Sequence, residues 1–268
     1  MSKVVVTNSG GMDSAVLLYM AADQFDTVYP VTFNYNQRHN REMGSALKQI
    51  INLEKKLNKT IFEKTIDVLY IKDIAPVSSL TNDNINTPNV NDVMGEAQPK
   101  SYVPFRNMMF LSILCSYAES IGATEVWYGA AQADSLAGYW DGSIEFVESI
   151  NSLISLNRNN NISIKAPLID MSKKDIILKG IELGVKFEDT YTCYSGETPS
   201  DAESASSSLR LKGFIEAGYV DPVPYKQQAK LNDIYRVNKC KLIPNSAYPF
   251  LERPGYPYIT SLPLNTGA

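Results

Sequence analysis

Val4-Val-Val6 is an unbroken β-branched run, and a strand that is apolar on both faces belongs inside a parallel sheet covered by helices. After the turn Ser9-Gly10-Gly11, the run Ala15-Val-Leu-Leu-Tyr-Met20 predicts a buried helix, with Asp13 or Ser14 placed to cap it. Thr27 to Phe33 reads as a second strand. Glu42 to Leu57 carries Met43, Ala46, Leu47, Ile50, Ile51 and Leu57 at helical spacing, with Lys and Glu on the opposite face. Thr60 to Val68 reads as a third strand. This β-α-β-α-β order predicts an α/β fold, a doubly wound parallel sheet with right-handed crossovers. Ligands of such sheets bind beyond the carboxyl ends of the strands. Ser9-Gly-Gly11 and Asn34-Tyr-Asn-Gln-Arg-His39 both lie at such ends.

Ser78 to Lys100 breaks the pattern: it is rich in Asn, Asp, Thr and Pro without periodicity, and is expected to be a long mobile loop able to close over substrate. Apolar periodicity resumes in a helix from Met108 to Ile121, followed by a strand, Glu125 to Gly129, that runs into Ala130-Ala-Gln-Ala-Asp134. Further helices are expected over Ile144 to Leu156 and, capped by Ser172 with Asp175 in the first turn, over Lys173 to Leu183. A Ser/Ala-rich stretch precedes a helix at Leu209 to Ala217, and the end of the chain from Asp221 is rich in Pro and Tyr. The expected organisation is a catalytic domain over 1–225 and a small helical or irregular C-terminal appendage over 226–268, packed on it.

Composition narrows the function classes. A net charge of −4 over 268 residues gives no electrostatic footprint for nucleic acid. No run approaches the ~18–20 apolar residues of a membrane span, and no signal peptide is read before the first strand. The 3 cysteines, Cys115, Cys193 and Cys240, are odd in number and too scattered for a disulfide framework, so a cytoplasmic protein is expected.

The chemistry begins at the first turn. A strand, a Gly-rich turn and a helix start aim backbone N–H groups and a positive helix end at an anion, and glycines allow the backbone to close on a phosphate. The lysine of a Walker A loop is missing. The string Ser9-Gly-Gly-Met-Asp-Ser14 resembles the PP-loop of the N-type ATP pyrophosphatases, which grip the β,γ-pyrophosphate of ATP and release it after adenylating a substrate. That fold is adenine-nucleotide alpha-hydrolase-like.

Further strings accompany the loop in order: Phe33-Asn-Tyr-Asn-Gln-Arg-His39, Tyr102-Val-Pro-Phe-Arg-Asn-Met-Met-Phe-Leu-Ser112, Pro167-Leu-Ile-Asp-Met-Ser-Lys-Lys-Asp-Ile176, Thr190-Tyr-Thr-Cys-Tyr-Ser-Gly196, Leu209-Arg-Leu-Lys-Gly-Phe214 and Ala217-Gly-Tyr-Val-Asp-Pro222. The ordered set, covering roughly residues 3 to 225, resembles the 7-cyano-7-deazaguanine synthase family of the queuosine pathway. That resemblance implies adenylation of 7-carboxy-7-deazaguanine by ATP with Mg²⁺, attack by ammonia to give the amide, and a second activation to the nitrile. It implies an ATP-binding segment of Asn8, Ser9, Gly10, Gly11, Met12, Asp13, Ser14, Ala15, Val16, Leu17 and Leu18. Asp13, Arg38, His39 and Arg106 are the catalytic candidates, and Arg38, Arg106, Asn107, Asp134 and Lys173 the substrate-binding ones. Arg38 suits the substrate carboxylate or the α-phosphate, or is a solvated loop charge. His39, the only histidine, serves proton transfer or packing. Arg106 and Asn107 contact nucleotide or base, or form a cap and salt bridge. Asp134 is a pocket carboxylate or a turn former; Lys173 approaches phosphates or is exposed. A homodimer is also expected.

Three departures from the family stand out. Members usually carry four zinc-binding cysteines, whereas here Cys193 is accompanied by Asp201, Ser204 and Ser207; serine hydroxyls are poor Zn²⁺ ligands, so no zinc is expected. Gly138-Tyr-Trp-Asp-Gly-Ser143 replaces a family Gly-Tyr-Pro-Asp-Cys-Arg, removing a thiol and a cation and suggesting an opened pocket rim. The tail beyond Tyr225 is longer than expected. These changes leave two readings: a small-molecule enzyme making nitrile or amide, or a paralogue coupling the activated deazaguanine to an amine of a partner protein.

Overall fold

The computed structural model describes residues 1–35, 41–57, 60–82, 84–85, 100–158, 161–191 and 204–248. Five parallel strands, β1 (Lys3–Thr7), β2 (Thr27–Asn34), β3 (Lys64–Asp67), β4 (Glu125–Trp127) and β5 (Ser163–Lys165), form one sheet in the order β3-β2-β1-β4-β5. β1 pairs with β2 from Lys3↔Thr27 to Thr7↔Val31, and with β4 from Val4↔Glu125 to Val6↔Trp127. The chain works outward from β1 in one direction, then returns to β1 and works outward in the other. The split beyond the ends of β1 and β4 is therefore the topological switch point, where ligands of this architecture bind.

The valine run explains the two-sided burial. Val4 and Val6 join a core with α1 (Met12–Gln24), α2 (Arg41–Leu57) and the later helix Lys173–Glu182. Val5 joins the opposite core, with Val31, Val126 and Ile164 beneath the helices Arg106–Ile121 and Ile144–Ile154. Each fully buried valine or leucine contributes about 1.5–3 kcal/mol. In chain order the remaining helices are α3 (Ile71–Ile74), α4 (Arg106–Ile121), α5 (Gln132–Leu136), α6 (Ile144–Ile154), α7 (Lys173–Glu182), α8 (Ala205–Ala217) and α9 (Gln228–Val237).

Some local expectations need correction. β3 is shorter than Thr60 to Val68, because the backbone turns at Ile61, whose carbonyl accepts from Glu63 N at 3.2 Å. β5 escapes the sequence pattern: three residues with one buried side chain, Ile164, carry no alternation. α9 lies within the Pro/Tyr-rich end, burying Leu231 and Tyr235. Ser78 and Ser79 are buried, and Ser79 N donates to Lys100 O at 2.9 Å, so the described ends of the 78–100 segment are fastened together. The mobility expected there concerns residues 83 and 86–99, outside the described residues.

The end of the chain builds a third cluster. Val220, Tyr225, Leu231, Tyr235, Cys240, Leu242 and Tyr248 pack with Leu211 and Ile215 of α8, and Tyr219 bridges to Lys241. Residues 249–268 of the extension lie outside the described residues. Among the described residues, no helix is long and apolar enough to cross a membrane.

Candidate active site

The turn after β1 is pinned from both sides. Asn8 is buried; its N–H donates to Val31 O at 2.8 Å and its side-chain amide to Ala46 O at 3.2 Å, tying the turn to β2 and α2. Thr32 Oγ1 donates to Asn8 O at 2.9 Å. Gly10 has φ +78, and a Cβ there would lie 2.1 Å from Glu42 O and 2.8 Å from Ala46 N. Its bare backbone thus makes room for the close approach of α2.

The helix start also differs from expectation. Neither Asp13 nor Ser14 caps α1; Gly11 holds the N-cap position and no side chain accepts from the first turn. Ser14 Oγ instead donates to Gly11 O at 3.1 Å and accepts from Ser9 N and Ser9 Oγ at 3.2 and 3.1 Å. The serines brace the turn and leave the positive helix end to an anion.

That end opens on a cavity of about 360 Å³, lined by Asn8, Ser9, Gly11, Met12, Asp13 and Ser14. Ala15, Val16, Leu17 and Leu18 are not part of this lining: they are fully buried in the core beneath β1. The ATP-binding segment expected to run to Leu18 therefore stops at Ser14 as cavity wall, and beyond it the helix turns its apolar side chains inward.

Asp13 faces Lys173, the first residue of α7. Ser172 caps that helix by accepting from Asp175 N, and the Asp175 carboxylate returns the bond to Ser172 N. The cap fixes the helix start and delivers Lys173 Nζ to Asp13 Oδ2 at 2.5 Å, with both side chains largely sheltered. Asp13 Oδ1 is buried without a hydrogen-bond partner. Asp134 sits nearby in α5, its Oδ2 accepting from Ala131 N at 2.8 Å. Burial raises the Asp134 carboxyl above its usual range, against the lowering pull of Lys173. Burial by itself would lower Lys173, but Asp13 and Asp134 outweigh it and hold the ammonium above its usual value. Asp134 is both things the sequence allowed, a turn former and a pocket carboxylate.

The opposite wall comes from the start of α4. Its N-cap, Phe105, is held at φ 54 in the left-handed region, a strained conformation for a bulky residue. Arg106 and Asn107 follow and line the cavity. Arg106 donates to the Tyr35 hydroxyl and lies beside Asp141. Burial raises the Asp141 carboxyl, and Arg106 opposes the shift. Tyr128 OH donates to Asp141 O at 3.2 Å, and Ser101 Oγ and Tyr139 OH are 2.6 Å apart.

In the segment expected to open the rim, Trp140 is packed against its neighbours. Trp140 Nε1 donates to Tyr102 OH at 2.8 Å, and its ring meets Phe105 and Phe146 edge-on. Ser143, in place of the family arginine, caps α6 by accepting from Phe146 N at 3.1 Å.

Arg38 and His39 lie outside the described residues, as do Cys193 and Asp201. Ser204 and Ser207 are within them: Ser204 caps α8, accepting from Ser207 N at 3.4 Å and donating to Ser207 Oγ at 2.8 Å. Sequence reasoning gave no role to Tyr128, Tyr139, Asp141 or Arg210, which also line the cavity. Tyr139, Asp141 and Arg210 stood inside strings already singled out, and that was the available signal; Tyr128 had only its place at the end of an expected strand.

Among the described residues no group of three or more His, Cys, Asp or Glu could hold a metal. The unpartnered Asp13 Oδ1 nevertheless fits Mg²⁺, which takes one or two carboxylates and completes its shell with phosphates and water. Asp13 and the neighbouring Asp134 are the carboxylates that would hold it.

Comparison with known proteins gives the family. The 7-cyano-7-deazaguanine synthase of Thermoplasma volcanium is 39% identical over 249 residues, covering 90% of this chain and 97% of that protein. The enzyme of the same name from Oceanobacillus iheyensis is 39% identical over 225 residues, covering 83% and 98%. Among solved structures, NMN synthetase from Francisella tularensis aligns with 17% identity and a TM-score of 0.47, over 87% of this chain and 84% of that one. Residues 3–218 match the family profile described as Queuosine biosynthesis protein QueC. Matched across most of its length, and with relatives at this level of identity, the chain belongs to the QueC family of queuosine biosynthesis proteins.

Proposed function

We propose that this chain is an ATP-dependent carbon–nitrogen ligase that activates 7-carboxy-7-deazaguanine and converts it with ammonia to the 7-amido and 7-cyano products. The observation that carries the reading is the uncapped start of α1 beside the Asp13–Lys173 pair. It offers backbone donors and one cation to a polyphosphate, and one carboxylate oxygen without a partner to the Mg²⁺ that would accompany it. The names of the relatives supply the substrate class.

A carboxylate resists amines until one of its oxygens becomes a good leaving group. In the first step the substrate carboxylate attacks the α-phosphorus of ATP, the bond to the β-phosphate breaks, and pyrophosphate departs. Ser9, Gly11 and the first turn of α1 bind the pyrophosphate oxygens as charge develops on them, and Lys173 adds its ammonium. Mg²⁺ held at Asp13 would supply further neutralisation of the same phosphates. Ammonia then attacks the acyl carbon, loses a proton and displaces AMP, leaving the amide. The amide oxygen then attacks the α-phosphorus of a second ATP, releasing pyrophosphate and one amide proton, and loss of AMP with the remaining N–H proton yields the nitrile. Arg106, Asn107 and Asp141 hold the deazaguanine end, fixing its approach to the α-phosphate. Residues 1–225 are taken as the catalytic domain and 226–268 as an extension upon it.

The test is incubation with ATP, Mg²⁺, 7-carboxy-7-deazaguanine and ammonia, followed by mass spectrometry. Amide or nitrile together with AMP is expected. Absence of AMP and pyrophosphate refutes the proposal. Activated acyl group that passes only to an added protein amine would replace it with the paralogue reading.

A further inference from the structure

Arg210 of α8 is almost fully buried and faces the cavity, yet its guanidinium is committed elsewhere. Nε donates to Asp221 Oδ2 at 2.7 Å and Nη2 to Asp221 Oδ1 at 2.9 Å, a bidentate fork. Asp221 is held in turn by Tyr225 OH at 2.7 Å and Val223 N at 3.1 Å. The other side of the fork reaches back along the chain: Nη1 donates to Thr190 Oγ1 at 2.5 Å and Nη2 to Phe187 O at 3.1 Å. Thr190 Oγ1 itself donates to Phe187 O at 2.7 Å. The next residue, Tyr191, donates its N–H to Gly10 O at 2.9 Å. Hydrogen bonds from Asp221 through Arg210 to Thr190, continued by the backbone to Tyr191 and its bond to Gly10, thus reach the turn that begins α1.

We propose that Arg210, resting on Asp221 and acting through Thr190, is a positioning residue for ATP: it fixes the segment Phe187–Tyr191, whose backbone holds Gly10 and so sets the geometry of the phosphate-binding turn. The inference rests on the proposed use of ATP by this site. Lysine cannot replace Arg210, since one ammonium cannot span the carboxylate on one side and both Thr190 and Phe187 on the other. Gly10 is pressed between α2 and Tyr191, so it has no slack to take up a shift of that segment.

Thr190 gives the cleaner test, because changing it leaves the Arg210–Asp221 pair intact. Thr190→Val keeps the shape and removes the hydroxyl; Thr190→Ser restores it. Equilibrium binding of a non-hydrolysable ATP analogue, KM values for ATP and for the carboxy substrate, and Tm are measured for wild type, both variants and Arg210→Lys. The expectation is an ATP-analogue Kd about tenfold weaker in Thr190→Val, equivalent to ~1.4 kcal/mol. KM for ATP should rise with it, KM for the carboxy substrate should stay unchanged, and Thr190→Ser should recover the wild-type values. A purely structural role would instead lower Tm and the active fraction with both KM values unchanged, and that result overturns the inference. If Arg210→Lys fails to fold, the two Thr190 variants still decide the question. Wild type that binds no ATP analogue refutes the proposed function and this inference together; tight binding that Thr190→Val leaves untouched refutes this inference alone.

Discussion

Gly10→Ala puts the geometry of the phosphate turn under direct test. At φ +78 an L side chain pays the left-handed penalty of about 1–2 kcal/mol. The added methyl would also lie 2.1 Å from Glu42 O and 2.8 Å from Ala46 N, both main-chain atoms of α2, so no side chain can rotate out of the way. Either α2 or the turn must move, an overpacking cost of about 1–3 kcal/mol. Together the destabilisation is about 2–5 kcal/mol. Gly44→Ala is the internal control. It lies in the same helix, exposed, with nothing within 4 Å of its Cβ position, and should stabilise by about 1 kcal/mol through helix propensity. Urea unfolding measures both effects, and ATP–pyrophosphate exchange reads the turn itself. Gly10→Ala should lose exchange, whereas Gly44→Ala should retain it. A Gly10→Ala protein as stable and as active as wild type would refute the account of this turn.

Asp13→Asn removes the charge opposite Lys173 and should lower pyrophosphate release by about 10²–10³-fold, measured by a coupled pyrophosphate assay. Asp134 binds its proton more tightly in the folded chain than at its ordinary value of 3.8, so its ionisation costs stability as pH rises through that window. Asp134→Asn should therefore be more stable than wild type at neutral pH, with the gap closing in acid, and less active; a pH series of thermal melts checks the sign. Ser204→Ala should cost about 1 kcal/mol in urea unfolding, because it deletes the α8 cap. Elemental analysis of the purified protein should find no stoichiometric zinc, and one zinc per chain would mean that other ligands had replaced the missing thiolates.

Much of this fold can be read from short-range pattern. Val4 to Val6 announces a strand buried on both faces, and Ser172 with Asp175 announces a helix start; both are local, and both are observed. The length of β3 and the existence of β5 depend on neighbours far along the chain, so the local pattern is silent about them. The site divides in the same way. Asp13, Arg106, Asn107, Asp134 and Lys173 converge on one cavity. Their partners are set by tertiary geometry: Asp141 acquires its place from a loop folded back on α4, and Arg210 from a carboxylate eleven residues later in the chain. The apolar tail of the expected ATP segment, Ala15 to Leu18, belongs to the core for a simple reason. After the first turn, α1 is covered on several sides at once, Leu17 lying toward Gly129 and Val16 against Gly180 of α7.

The clamp on Gly10 has a consequence in time. Roughly two hundred residues separate Gly10 from Asp221, and synthesis at ~5–20 residues per second takes about 10–40 s to cover them. During that interval the nascent chain has β1 and its turn, but neither Arg210 nor its carboxylate has been made. The proposed anion seat is written early in this interval and acquires its brace only when Arg210 and Asp221 have followed, so the turn is held in its final geometry only after that stretch has been made.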